Sequence, residues 1–236
     1  MHTVEQLGLL KMDFLGLRNL SILDRTIELI GDPLFDIDNV LLDDVKTYKL
    51  FSEGRMTGVF QLESRVAQTV SKNLNPKRFE DIVALVALIR PGPLGAGMHN
   101  EFADRANSRR AIEYLHNDLE PILSETYGII LYQEQVMQIA EKIAGFNLQE
   151  ADNLRVAMGK KIPKVMEEQR IKFTEGATNN GYSEQFSIEL FDQIAYFAGY
   201  GFNKSHSVPY ALLAYQTTYL KANYPAEYLA ACRSEE

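Results

Sequence analysis

Residues 147–201, NLQEADNLRVAMGKKIPKVMEEQRIKFTEGATNNGYSEQFSIELFDQIAYFAGYG, decide the fold class. Asn147 stands as an N-cap before LQEADNLRVAM with Glu150 three residues on, the spacing at which two side chains satisfy each other's orphan amides. PKVMEEQRIKFTEGATNNG opens on a proline, whose fixed φ and missing N–H suit a first helical turn, and closes in turn residues. SIELFDQIAYFAGYG ends at glycine. Three helices in succession are therefore expected here.

The same punctuation extends upstream. DVKTYKLFSE, the segment after GVFQLES, RFEDIVALVALI halted by RPGP, and LEPILSET all read as helices, and Leu17, Leu20, Ile27 and Ile30 recur at threes and fours until Gly31-Asp32-Pro33. Only LGLLKMDFLGL, residues 7–17, alternates as a strand, with Leu10, Met12 and Phe14 on one face and Lys11 and Asp13 on the other. No fixed-period repeat or low-complexity segment interrupts the series. The expected fold is mostly α: a multi-helix body preceded by a short N-terminal strand. The abrupt MHTVEQL start and AACRSEE end read as those of a fragment.

With 236 residues and 46% hydrophobic content the chain can bury a sizeable core. A net charge of −8 argues against a uniformly positive nucleic-acid coat, so the location of the cations matters more than the total. The lone cysteine, Cys232, permits no internal disulfide and fits a reducing, cytoplasmic setting. The longest apolar run, IVALVALI at 82–89, is far shorter than a bilayer span. No membrane is expected.

Two stretches concentrate donors suited to anions. LRVAMGKKIPKVMEEQRIK carries Arg155, Lys160, Lys161, Lys164, Arg170 and Lys172 against only Glu167 and Glu168, and Gly159-Lys160-Lys161 falls at a helix break where amides and ammonium groups can converge on phosphate oxygens. GYGFNKSHSVPYALLAY, residues 199–215, gathers Asn203, Lys204, Ser205 and His206 between a glycine pair and a helix start. It reads either as a glycine C-cap followed by Ser207 capping the next helix, or as a phosphate seat flanked by Tyr200 and Phe202. Asp13, set between apolar neighbours, is either a salt-bridge partner of Lys11 or a metal ligand. FDIDNVLLDD lacks the glycine and glutamate of a calcium loop and reads as a solvated connector. His2, His99 and His116 have no partner at ligand spacing.

LGLLKMDFLGLRNL, GVFQLES, ALVALIRPGPL, LEPILSETYGIILYQEQVMQIAEKIAG, EADNLRVAMGKK, GYGFNKSH and YQTTYLKANYPAEYLAA, in this order, resemble the bacterial replicative DNA polymerase III alpha subunits, the C family of polymerases. The resemblance covers nearly the whole chain. It implies that residues 1–16 are the C-terminal edge of a palm domain and 17–236 a helical fingers domain. It further implies that Asp13 is one of three metal-binding aspartates, with Lys11 a triphosphate contact beside it. Arg155, Lys160, Lys161, Tyr200, Asn203, Lys204 and His206 then correspond to the positions that close over the incoming nucleotide. The chain departs from the family where Arg155-Val156 replaces paired basic residues and where Glu63-Ser64-Arg65-Val66-Ala67 replaces an E-S-x-G-M pattern, and Glu63 receives no role.

The function expected is template-directed DNA synthesis by a longer parent, with Mg2+ as cofactor and dNTP, template-primer DNA and other replisome subunits as partners. A single carboxylate cannot position two metal ions, so the fragment alone is expected to be inactive. The rival reading is a non-enzymatic helical module that binds nucleic acid or protein, with Asp13 in a structural ion pair.

Overall fold

The computed structural model of the chain describes residues 7–8, 18–160, 163–198 and 200–234. The expected strand, with Lys11 and Asp13, falls almost wholly outside them, as does the expected boundary at residue 16. Among the described residues the fold is all helical and contains no sheet. The helices are α1 (Arg18–Ile30), α2 (Val45–Glu53), α3 (Arg65–Leu74), α4 (Phe79–Leu88), α5 (Pro91–Gly95), α6 (Met98–Ala106), α7 (Glu120–Leu123), α8 (Gln133–Ala144), α9 (Leu148–Lys160), α10 (Pro163–Asn179), α11 (Glu184–Ala198), α12 (Lys204–Asn223) and α13 (Pro225–Ser234). No described helix is long and apolar enough to cross a membrane.

The apolar run at 82–89 is the centre of one core. Every residue of α4 from Asp81 to Leu88 is buried, wrapped by α2, α3, α6 and the long α12. A second core joins α7 through α11 around Ile139, Ile143, Leu154, Phe173 and Leu190. The half-buried Phe197 packs on both.

Local capping chemistry sets most boundaries. Asn147 Oδ1 accepts the Glu150 N–H at 3.0 Å while the Glu150 carboxylate accepts the Asn147 N–H at 2.9 Å, so the expected reciprocal cap forms. Asp44 caps α2 through the Thr47 N–H at 2.7 Å, and Asp36 caps the 3-10 turn Ile37–Asn39, so FDIDNV is a capped connector. Glu63, left without a role by its sequence, accepts the Gly58 N–H at 2.6 Å.

Three sequence expectations are corrected. RPGP does not simply stop α4, because Pro91 starts α5 with its N–H already dispensable. LEPILSET is a 3-10 turn, one α turn and another 3-10 turn instead of one helix. On α1 the buried face is Ile22, Leu23 and Thr26, whereas Leu20 is 46% exposed. That face is set by its neighbour α13, where Tyr228 and Ala231 are buried, and the Thr26 hydroxyl is satisfied by the Ile22 carbonyl at 2.6 Å.

Candidate nucleotide-facing loop

The loop at 200–203 is held by the segment that enters α8. Gln135 is buried, and its side-chain oxygen accepts the N–H groups of Leu131 and Tyr132, both at 2.9 Å, while its amide donates to Thr126 at 2.7 Å. Residues 131–132 are thereby fixed in extended form. Phe202 then pairs alongside: its N–H donates to the Leu131 carbonyl at 3.1 Å, and its own carbonyl accepts the Gln133 N–H at 2.9 Å. This single parallel bridge, Tyr132 with Phe202, fixes where α12 begins.

The helix start itself is already capped. Asn203 Oδ1 accepts the His206 N–H at 2.9 Å, and both oxygens of Glu134 accept the Lys204 N–H at 3.0 Å. Ser207, expected as the cap, lies within α12 and is fully buried, its hydroxyl donating to the Val83 carbonyl at 2.7 Å. Asn203 holds the cap because its extended backbone leaves a short acceptor free to turn onto the helix. Two backbone donors of this helix start, the N–H groups of Lys204 and His206, therefore already have carboxylate and amide partners, and the loop's further capacity for anions rests largely on side chains.

The cationic side chains come from α9 and α12. Arg155 on α9 pairs with Asp152 at 2.8 Å and reaches Gln133 at 3.5 Å, and Gln133 in turn donates to the Gly201 carbonyl at 3.4 Å. The Lys204 ammonium pairs with Glu125 at 2.6 Å and lies 5.6 Å above the Tyr132 ring. Burial, reinforced by Glu125 and Glu134, pushes the Tyr132 phenol well above its ordinary range, so that platform stays neutral. A cleft of about 490 Å3 opens beside Lys204 and is bordered by Arg78 and Glu125. His206 is exposed, its ring 4.4 Å from that of Tyr210 and 5.7 Å from that of Phe202. Tyr200 fits its ring against Gly92 and sits 6.1 Å from the Tyr196 ring.

Arg90, at the α4–α5 junction, was missed because RPGP reads as punctuation. Its guanidinium lies 4.6 Å over the Phe202 ring, is exposed, and has no carboxylate partner among the described residues. Its signal was available in the sequence, since a residue before proline is driven to extended backbone and its side chain is turned out of the preceding helix. Lys160 closes α9, but its side chain, like Lys161, Lys11 and Asp13, falls outside what is described.

The basic stretch is less positive than it reads. Arg155, Arg170 and Lys172 are paired with Asp152, Asp192 and Glu150, and Asp192 comes from another helix. Among the described residues no three His, Cys, Asp or Glu side chains converge to hold a metal ion.

Among the described residues the chain is an all-α module with Arg90, Lys204 and His206 at the loop that precedes α12. The chain belongs to the bacterial DNA polymerase III alpha subunit finger domain family, whose description matches residues 19–181. It is 51% identical to the DNA polymerase III subunit alpha of Haemophilus influenzae over 247 aligned positions that cover all of this chain. The corresponding Escherichia coli K12 protein is 51% identical over 97% of this chain, and that of Saccharopolyspora erythraea 50% identical over 96%. The chain spans about a fifth of the length of these relatives, 20 to 21%.

Proposed function

We propose that this fragment is the part of a replicative DNA polymerase that holds the phosphates of the incoming deoxynucleoside triphosphate beside template-primer DNA. The observation that carries the reading is the convergence of Arg90, Arg155, Lys204 and His206 on the 200–206 loop, in a member of the polymerase III finger family. Arg90 supplies net positive charge as it stands. Lys204 and Arg155 are held in place by exchangeable, part-exposed carboxylate partners, which phosphate oxygens can replace as charge-assisted acceptors. Phe202 and Tyr200 offer ring faces beside those cations.

In the longer parent, Asp13 would contribute one carboxylate to a Mg2+ site and Lys11 a neighbouring phosphate contact. Among the described residues no three His, Cys, Asp or Glu side chains form such an ion site. Other replisome subunits would engage parts of the parent outside this fragment.

The test is titration of the 236-residue chain with a fluorescent deoxynucleoside triphosphate. Arg90→Ala is expected to weaken binding about tenfold and to reduce the dependence on salt by roughly one ionic contact, as for any phosphate-contacting cation. Unchanged affinity and unchanged salt slope would overturn the reading.

A further inference from the structure

An open groove of about 1020 Å3 lies between α11 on one side and the 113–130 segment with α6 on the other. It is at or above the upper end of the ~300–1,000 Å3 usual for small-molecule sites. Its shape is that of a trough. Glu184, Ile188, Asp192 and Tyr196 recur every fourth residue along α11 and so form one wall about 18 Å long at ~1.5 Å per residue. The floor is apolar, made of Leu115, Leu119, Leu123 and Ile129, and on the wall Ile188 is 36% and Tyr196 56% exposed.

The rim is acidic and not internally neutralised. Glu101 is taken by Arg105 at 2.6 Å and Asp192 by Arg170 at 2.6 Å, but Glu113, Glu184 and Glu189 are exposed and have no cationic partner among the described residues. An apolar trough flanked by three unpaired carboxylates repels phosphate, so it is no continuation of the cationic loop. We propose that the groove docks an amphipathic α-helix of a separate protein, with leucine-like residues facing the floor and Lys or Arg along its edges. A helix fits because the α11 wall runs for about three turns, the length over which i, i+3, i+4 and i+7 anchors read a groove. The described residues of this chain do not supply that charge, because the cations at the trough, Arg105, Arg110 and Arg170, are already paired with Glu101 and Asp192. The missing positive charge must come from outside them. This assignment does not depend on the nucleotide reading.

The experiment is fluorescence anisotropy of the 236-residue chain with a labelled amphipathic peptide of about 14 residues, leucines at the anchor spacing and lysines elsewhere. Saturable binding is expected, with no binding of the same peptide carrying glutamate for lysine. Ile188→Glu, and separately Glu113→Lys with Glu184→Lys and Glu189→Lys, should each weaken binding at least about tenfold. Asp24, Glu141 and Glu175, exposed and without a cationic partner among the described residues, serve as controls, and their joint change to lysine should have little effect. Equal loss from that control triple would mean bulk attraction to an acidic chain, and equal binding of the glutamate peptide would remove the charge argument. Failure of the lysine peptide to bind, or competition by single-stranded DNA for the same groove, would also overturn the proposal.

Discussion

The Lys204 ammonium lies 2.6 Å from the Glu125 carboxylate across 79 residues of sequence, so a cation nominated for phosphate is met by an internal anion. Both side chains are about one-third exposed, so the pair is worth only ~0.2–1 kcal/mol. Triphosphate can compete for Lys204 at that level. On the proposed nucleotide reading Glu125 is a place-holder that keeps the lysine over Tyr132 until phosphate replaces it.

Removing the place-holder should therefore favour the ligand. In Glu125→Gln the lysine keeps its surroundings but loses its competing charge, and triphosphate affinity is expected to rise by up to about five-fold, the upper end of what such an ion pair is worth. Equilibrium titration at low ionic strength reads this directly. Weaker binding in the variant would mean that Lys204 serves the fold and not the nucleotide.

A second expectation concerns acid. Burial pushes the Asp44 carboxyl up, but hydrogen bonds from Thr47 and Asn223, together with Lys46, outweigh it and hold the group below its ordinary value. A depressed carboxyl stabilises the fold fully above its unfolded value, about 3.9, and that contribution is lost as pH falls through the folded value. Asp44→Asn retains a capping oxygen but cannot titrate. The difference in urea midpoint between neutral pH and about pH 3 should be smaller in Asp44→Asn than in the parent chain. An equal or larger difference would remove Asp44 from the acid response.

These two sites show what a linear reading can and cannot reach. The cap at Asn147 was legible because capping is decided within three or four residues, and so was the helix it starts. The ion pairs were not: Glu125 with Lys204 and Asp192 with Arg170 join distant segments, and no local pattern names the partner. The same holds for the face of α1, which α13 dictates from 200 residues away in sequence. Residues 199–206 announced their chemistry as a cluster of donors. That the Lys204 and His206 N–H groups were already used by Glu134 and Asn203 required the fold, as did the contribution of Arg90 from a stretch that reads as a turn.

The last prediction tests how that turn shapes the loop. A Cβ added at Gly92 would meet the Tyr200 ring at 2.3 Å, closer than any real contact, whereas one added at Gly95, three residues on in α5, meets nothing within 4 Å. Gly92→Ala must therefore displace Tyr200, with an overpacking cost of ~1–3 kcal/mol, while Gly95→Ala should be neutral or slightly stabilising because alanine is the better helix former. If Tyr200 belongs to the nucleotide loop, Gly92→Ala should also weaken triphosphate binding, and Gly95→Ala should not. Tyr200→Ala supplies the discriminating step, since it deletes the ring that the new methyl would strike. On that background Gly92→Ala should cost almost nothing further in melting temperature, the non-additivity expected of two residues in direct contact. Costs that simply add would mean that the penalty at Gly92 comes from its own backbone, and that the close fit of Gly92 to Tyr200 does not position the loop.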